Sequence, residues 1–262
     1  MSGAGAVRNR FWRPGHGAFT RSCDDLPMPT PRRPLVLWDI DHTLISLPGV
    51  SQEIYALAFE QAVGRPLVVL ADMSGRTDRA IVAETLALNG VAGRVSFEGF
   101  GAALADASHA LRDKMRDTGR VLPGAAEALK VFATDGAFQT VVTGNSPAIA
   151  ATKLEALGLT DILDLEVGGY GDDDVDRAVL VRLAVARAES RYQASLTPED
   201  AVVIGDTPHD VKCALDTGAL AVGVATGRSD QDALRAAGAH LVLPDLRDIS
   251  ALRKLVAERF AE

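Results

Sequence analysis

The chain has 262 residues, 47% of them hydrophobic and 24% charged, with a formal net charge of −8. This composition is ordinary for a globular protein and excludes a wholly disordered, collagen-like or repetitive chain. Cys23 and Cys213 are too far apart in the sequence to indicate a disulfide framework or a cysteine-ligated zinc site, which favours the reducing cytoplasm. No apolar run approaches the roughly 20 residues of a membrane span, so we expect no membrane partner.

Charge is distributed unevenly along the chain. Residues 1–34 contain six arginines and two aspartates, a net charge of +4, so the remainder carries −12. Phosphate contacts need clustered lysines and arginines, and the acidic body therefore predicts no nucleic-acid partner. Prolines and glycines in residues 1–34 disfavour regular structure. We expect these residues to form a disordered N-terminal extension, within which Met28 could be the true start.

From residue 35 onward, short apolar runs alternate with stretches of helical spacing, which is typical of a parallel sheet wrapped by helices. The runs are rich in Val, Ile and Leu, as strands buried on both faces should be. The predicted strands are Leu35–Trp38, Phe138–Val142, Ile162–Val167, Ala201–Ile204, Ala219–Val224 and Leu241–Leu243. Helix starts are predicted at Ser146–Pro147, Asp176, Pro208 and Asp248. The expected fold is α/β, a three-layer Rossmann-like core of residues 35–46 and 122–262.

The alternation is interrupted between the first two predicted strands. Apolar residues recur there at helical spacing in three segments, around residues 54–62, 81–86 and 100–111. The turn pairs Pro48–Gly49 and Pro123–Gly124 flank this stretch, and we predict that they act as hinges. Residues 47–121 are therefore expected to form a small all-helical domain inserted after the first strand.

Two acids, Asp39 and Asp41, follow the first predicted strand. Ligands of an open parallel sheet bind beyond the carboxyl ends of its strands, so these side chains point to the expected site. Acids this close repel each other unless a cation neutralises them or one stays protonated. A metal site with oxygen ligands and a proton donor to a leaving group are both compatible with the pair. Taken alone, the two could equally be solvated loop acids.

The segment Thr143-Gly144-Asn145 follows another predicted strand and leads into a helix. A hydroxyl and backbone N–H groups at a helix start form a cradle for an anion, although the same residues could simply cap the helix. Arg177 lies just inside a later helix, where its charge could balance an anionic site.

Asp206 ends a third predicted strand, and Asp210 follows four residues later. This spacing lets Asp206 reach a metal ion while Asp210 supports it from the first turn of a helix. The alternative is that Asp210 only stabilises the start of that helix through its charge.

Taken in order, the Asp39-Ile40-Asp41-His42-Thr43, Thr143-Gly144-Asn145 and Gly205-Asp206 to Asp210 segments resemble the motifs of the haloacid dehalogenase-like superfamily. The resemblance extends over residues 35–245 and is to the phosphatase branch with a helical cap, which includes phosphoglycolate phosphatases. It implies that residues 47–121 are the cap. It also implies hydrolysis of a small phosphorylated metabolite, with Mg²⁺ as cofactor.

The resemblance also implies roles for individual residues. Asp39 would be the nucleophile that forms an aspartyl-phosphate, and Asp41 the general acid and base. Mg²⁺ would bind the Asp39 carboxylate, the Asp41 backbone carbonyl and Asp206, with Asp210 in support. The residues expected to bind the phosphoryl group are Thr143, Gly144, Asn145 and Arg177.

The chain departs from the family pattern at the third motif, which usually contributes a lysine. Between Gly144 and Asp206 the only lysine is Lys153, which falls in the middle of a predicted helix and is therefore not assigned to the site. Arg177 is expected to replace the lysine, since arginine can donate two hydrogen bonds to a phosphate. Arg182 is the weaker candidate.

Within residues 47–121, the segment from Met73 to Asp78 resembles the cap loop that faces the active site in related enzymes. Arg76 in this loop is a possible specificity residue that contacts an anionic or hydroxylated substrate. Thr77 and Asp78 could simply cap the helix that follows.

Other functions are compatible with parts of the pattern. A phosphomutase of the same fold would retain every core motif, and a non-catalytic binding protein could use the same scaffold. A 2-haloacid dehalogenase is disfavoured, because it would not need Asp41. A phosphonoacetaldehyde-type hydrolase requires a lysine in the cap, and Lys114 is not in the expected position. The sequence does not indicate an oligomeric state.

Overall fold

The computed structural model describes Met1 and residues 33–260. The predicted N-terminal extension, with Cys23 and Met28, therefore lies almost entirely outside the described residues. The described elements are, in chain order, β1 (Leu35–Trp38), β2 (Ile45–Ser46), α1 (Val50–Val63), α2 (Asp78–Leu88), α3 (Phe97–Ala110), α4 (Arg112–Thr118), β3 (Arg120–Val121), α5 (Ala125–Thr134), β4 (Phe138–Val141), α6 (Pro147–Ala156), α7 (Arg177–Tyr192), β5 (Ala201–Gly205), α8 (Pro208–Thr217), β6 (Leu220–Val224), α9 (Gln231–Ala236), β7 (Leu241–Leu243) and α10 (Ser250–Arg259).

The core of the described chain is a five-stranded parallel sheet in the order β4-β1-β5-β6-β7. The alternation of apolar runs and helices thus correctly predicts the α/β class and five of the six strands. Helices α6, α7 and α8 begin within one residue of the predicted positions, whereas α10 begins at Ser250, two residues after Asp248.

The predicted strand Ile162–Val167 is wrong. Leu165–Val167 form a 3-10 turn, and the Asp164 side chain accepts a hydrogen bond from Glu166 N, which stabilises a turn instead of an extended chain. Backbone contact with β4 is limited to a hydrogen bond from Asp164 N to Gln139 O and an isolated bridge between Gly169 and Val142. A side chain on Gly169 would lie 2.2 Å from the backbone oxygen of Leu180 in α7, so this close approach requires glycine.

Helices cover both faces of the sheet and complete the predicted three layers. Successive residues of β1 point to opposite faces. Val36 and Trp38 pack with buried side chains of α5, α6 and α10, while Leu35 and Leu37 pack with those of α7, α8 and α9. Trp38 also contacts Phe132 of α5 edge to face, with ring centroids 6.0 Å apart. The core therefore lies in two apolar layers on either side of the sheet.

Helices α1 to α4 lie in the predicted insertion, residues 47–121. Strands β2 and β3 pair antiparallel where the chain enters and leaves it, with Ile45 opposite Val121. Buried residues of the insertion and of α5 and α6 belong to one continuous hydrophobic cluster. The division into a core and a separate cap domain, and the bending of its hinges, stay predictions. Within the described residues, no helix is both long enough and apolar enough to span a bilayer.

Candidate active site

The carboxyl ends of three adjacent strands bring together side chains that are distant in the sequence. Asp39 follows β1, Thr143 follows β4, and Asp206 follows β5, and all three are buried. They line a cavity of about 470 Å³, to which the insertion contributes the opposite wall. Parallel pairing of β1 with both neighbours places these strand ends at one edge, as expected for an α/β sheet.

Three buried carboxylates cluster at this edge. Oxygens of Asp39, Asp206 and Asp210 all lie within 4.8 Å of one another. The Thr43 hydroxyl is shared between Asp39 Oδ2 at 3.4 Å and Asp206 Oδ1 at 3.5 Å. Burial, together with the charge of Asp210, raises the pKa of Asp39 well above its usual value and raises the pKa of Asp206 to about 8.

This cluster fits a hard divalent cation. Its ligand atoms are all oxygens, which Mg²⁺ prefers. Burial and the charge of Asp210 disfavour the ionised forms of Asp39 and Asp206, and a bound cation would offset both effects. Asp210 is already occupied, since its Oδ2 accepts hydrogen bonds from Thr207 N at 3.0 Å and from Thr207 Oγ1 at 2.6 Å. Asp210 is therefore better suited to supporting a metal site than to binding the ion directly.

Arg177 neutralises part of the cluster from the start of α7. Its Nη2 donates to Asp39 Oδ1 at 3.3 Å and also to Asp210 Oδ1. Burial alone would favour the neutral guanidinium, but the charges of Asp210 and Asp39 raise the pKa of Arg177, so it stays cationic. Its Nε is buried and has no hydrogen-bond partner among the described residues, which leaves a donor that an incoming oxyanion could use. Arg182, the weaker candidate, is exposed on the same helix.

Asp41 lies in a different environment from Asp39. The prediction that Lys153 lies outside the site is wrong. The Lys153 side chain is only 1% exposed, and its Nζ donates to Asp41 Oδ2 at 2.6 Å, Asn145 Oδ1 at 2.9 Å and Ser51 Oγ at 3.2 Å. Side chains of a helix tilt toward its N-terminus. A lysine in the middle of α6 can therefore reach back to the edge of the sheet where α6 begins.

The contacts of Lys153 separate the two acids electrostatically. Burial alone would raise the pKa of Asp41, but the charge and hydrogen bond of Lys153, together with the Asn145 amide, lower it below its usual value. Asp39 shows the opposite shift. Two carboxylates one residue apart therefore have pKa values displaced in opposite directions.

The Thr143-Gly144-Asn145 segment forms a tight loop at the start of α6. Asn145 Nδ2 donates to Thr143 Oγ1 and to Asp41 Oδ2, both at 2.8 Å, and Asn145 N donates to Thr143 Oγ1 at 3.2 Å. A side chain on Gly144 would lie 2.1 Å from the Arg76 carbonyl oxygen. Only glycine allows the insertion loop to approach this closely.

The insertion is joined to this loop by a buried polar contact that sequence reasoning missed. Asp78 N donates to Gly144 O at 2.7 Å. The Asp78 carboxylate accepts hydrogen bonds from Ser146 N and from the Tyr55 hydroxyl, both at 2.7 Å. Burial raises the pKa of Asp78 and of Tyr55. Thr77, not Asp78, caps α2, through a hydrogen bond from Ala80 N, so Asp78 is free to make the interface contact.

Arg76 lines the cavity, as its assignment to the cap loop suggests. Its guanidinium is already engaged, however. Nη1 donates to the Asp72 carbonyl at 3.0 Å and forms an ion pair with Glu84 at 2.6 Å. Any contact between Arg76 and a substrate anion would have to compete with Glu84.

Comparisons with known proteins agree with this geometry. A family model described as "HAD: haloacid dehalogenase-like hydrolase" matches residues 36–215. The "Probable phosphatase IndB" of Dickeya dadantii is 28% identical over 232 residues, covering 83% of this chain and 92% of that protein. "Phosphoglycolate phosphatase 1" of Pseudomonas aeruginosa is 26% identical over 235 residues, covering 86% and 81%. A solved β-phosphoglucomutase from Clostridium difficile has a TM-score of 0.63 at 13% identity, covering 88% of this chain and 100% of that one. This last likeness establishes the fold alone.

Proposed function

The chain belongs to the haloacid dehalogenase-like hydrolases, and from this premise we propose that it is a Mg²⁺-dependent phosphatase that hydrolyses a small phosphomonoester through an aspartyl-phosphate. The observation that carries the proposal is the convergence of three buried carboxylates, Asp39, Asp206 and Asp210, with the buried guanidinium of Arg177. Oxygen ligands for a divalent cation beside a cation that can bind a phosphoryl group are the parts that phosphoryl transfer requires.

In the first step, one Asp39 carboxylate oxygen attacks phosphorus, and the bond from phosphorus to the alcohol oxygen breaks. Asp41 delivers a proton to the departing oxygen. Because Lys153 favours the ionised form of Asp41, the proton must arrive with the substrate. A phosphate monoester monoanion can supply it, as its second pKa is about 6.

In the second step, water attacks phosphorus of the aspartyl-phosphate, and ionised Asp41 takes the proton from that water. The Asp39 carboxylate is regenerated, inorganic phosphate leaves, and Asp41 passes the proton to solvent, which restores its ionised form. The hydrogen bonds from Lys153 and Asn145 both go to Asp41 Oδ2. They leave Oδ1 for proton transfer and fix its direction, so Lys153 would be a positioning residue.

The phosphoryl group would be bound by Thr143, Gly144, Asn145 and Arg177. Support comes from the buried, unpartnered Nε of Arg177 and from the position of the loop at the N-terminus of α6, where the helix dipole favours an anion. Mg²⁺ would be held by the Asp39 and Asp206 carboxylates and the Asp41 backbone carbonyl, with Asp210 in support, and would offset the repulsion between Asp39 and the anionic phosphoryl group.

The proposal is tested by measuring phosphate release from a mixed panel of phosphomonoesters, with Mg²⁺ or with EDTA. Asp39→Asn should abolish release and EDTA should suppress it. Asp232→Asn, at a side chain that is 92% exposed, is the matched control and should leave release unchanged. Release that persists in Asp39→Asn would contradict the mechanism. Turnover that requires a sugar bisphosphate and yields an isomer would instead indicate a phosphomutase.

A further inference from the structure

The lining of the cavity indicates which class of ester fits it. Resting on the proposed phosphatase function, we infer that the alcohol released is uncharged and has an apolar face, and that esters with a carboxylate close to the phosphate are poor substrates.

Among the described residues, four lysine or arginine side chains line the cavity: Arg76, Lys153, Arg177 and Arg228. Lys153 and Arg177 are buried against the catalytic acids and the phosphoryl site. Arg76 forms an ion pair with Glu84. Each of these three cations therefore already has an anionic partner within the protein.

Arg228 is the remaining cation, at the exposed mouth of the cavity. It donates to Ser74 Oγ at 3.2 Å. Hydrogen bonds from Ser74 and, to a smaller extent, the charge of Arg228 lower the pKa of Asp72, which lines the same mouth. A substrate carboxylate near Arg228 would therefore also meet the ionised Asp72.

Most of the other side chains on the insertion wall are apolar, although Ser51, Gln52 and the buried Asp78 also line it. The apolar side chains, together with one from α6, are Leu47, Ile54, Tyr55, Met73, Ile81 and Ile149. These apolar side chains favour a ligand surface that loses little hydration on binding, and they offer a desolvated carboxylate no cationic partner. At about 470 Å³, the cavity has room for an alcohol of sugar or nucleoside size beside the phosphoryl group. A two-carbon acid such as glycolate would leave much of this wall uncontacted.

Glu84 provides a way to change the charge balance without touching the catalytic residues. Its side chain is 47% exposed on α2, and Glu84→Gln would release the Arg76 guanidinium from its ion pair. The Arg76 guanidinium could then donate hydrogen bonds to an anionic group of the substrate. Glu60→Gln makes the same charge change at an exposed position on α1 and serves as the matched control.

The experiment compares kcat/KM for two ester pairs that differ in one charge: 2-hydroxyethyl phosphate against phosphoglycolate, and phenyl phosphate against 4-carboxyphenyl phosphate. Measurements at pH 8 keep the contribution of protonated histidines small. We expect the neutral member to be favoured by about tenfold or more in each pair. Glu84→Gln should lower this ratio at least threefold, by improving the anionic member, and Glu60→Gln should not.

Two results would overturn the inference while leaving the phosphatase function intact. One is equal or better turnover of the anionic members. The other is the same change in ratio for both glutamate variants, which would show that Arg76 and its pairing do not govern selectivity. Absence of any hydrolysis that depends on Asp39 would overturn the phosphatase function itself and this inference with it.

Discussion

Lys153→Met tests whether a buried lysine positions Asp41, the proposed general acid and base. The substitution retains most of the aliphatic side chain and removes three donated hydrogen bonds, to Asp41, Asn145 and Ser51. Hydrogen bonds to charged groups contribute about 1.5–3 kcal/mol each. The Asp41 side chain is 32% exposed, so water can replace part of the loss. We expect the free energy of unfolding to fall by about 1–3 kcal/mol.

Lys153→Met should lower the activity of the folded enzyme by more than the loss of stability alone would. General acid and base catalysis contributes about 10²–10⁴-fold, and an Asp41 side chain held by Asn145 alone should lose much of this contribution. We expect kcat to fall about 100-fold, which corresponds to roughly 2.7 kcal/mol. KM should change less than kcat, because Lys153 contacts the phosphoryl site only through Asn145 Oδ1, while Thr143 and Arg177 are not among its partners.

The assay measures kcat/KM for an alkyl phosphate and for 4-nitrophenyl phosphate. For each ester, kcat/KM reports on the first step. An alkoxide leaving group needs a proton from Asp41 in that step, whereas a nitrophenolate leaving group does not. Lys153→Met should therefore impair the alkyl ester much more. Lys130→Met, at an exposed position on α5, is the matched control. Equal losses for both esters would refute the positioning role and leave Lys153 as a purely structural residue.

Two further predictions concern stability. Because the native pKa of Asp206 is about 8 and the unfolded value is about 3.9, the native state holds an extra proton between these limits, so stability without metal should fall as pH rises through this window. The Tm measured in EDTA should be lower at pH 8.5 than at pH 6, and Mg²⁺ should raise the Tm more at pH 8.5. Asp39→Asn should weaken the pH dependence. A Tm in EDTA that increases from pH 6 to pH 8.5 would contradict the prediction. Tyr55→Phe removes a donor to buried Asp78 and should lower the free energy of unfolding in urea by about 1–3 kcal/mol. Tyr192→Phe, at a half-buried hydroxyl, should lower it less. Equal losses of stability would argue against a special role for the buried contact.

The strand-end part of the site could be predicted from sequence. Adjacent parallel strands end at one edge, so the order of apolar runs suffices to bring Asp39, Thr143 and Asp206 together. The contacts of Lys153 and Asp78 could not be predicted in this way. They depend on the reach of a long side chain along α6 and on how closely the insertion approaches the core, and neither leaves a periodic signal in the sequence. The false strand at residues 162–167 has a related cause, since its Val, Ile and Leu content is right but local hydrogen bonding by Asp164 favours a turn.

The separation of the two acids follows from how the chain leaves β1. If the strand continued, Asp39 and Asp41 would point to the same face of the sheet. Instead Leu44 N and Ile45 N both donate to Ile40 O, and His42 adopts a positive φ of 65°, so the chain curls directly after Asp39.

As a result, each acid meets a cation from a different helix layer. Asp39 is paired with Arg177 of α7, which packs on one face of the sheet, and Asp41 with Lys153 of α6, which packs on the other. Both cations lower the pKa of the acid that they contact. For Asp39, burial and the charge of Asp210 outweigh Arg177, whereas for Asp41 the contacts of Lys153 and Asn145 outweigh burial. A substitution that straightened this turn should lower the proposed phosphatase activity, even though Asp39 and Asp41 were both retained.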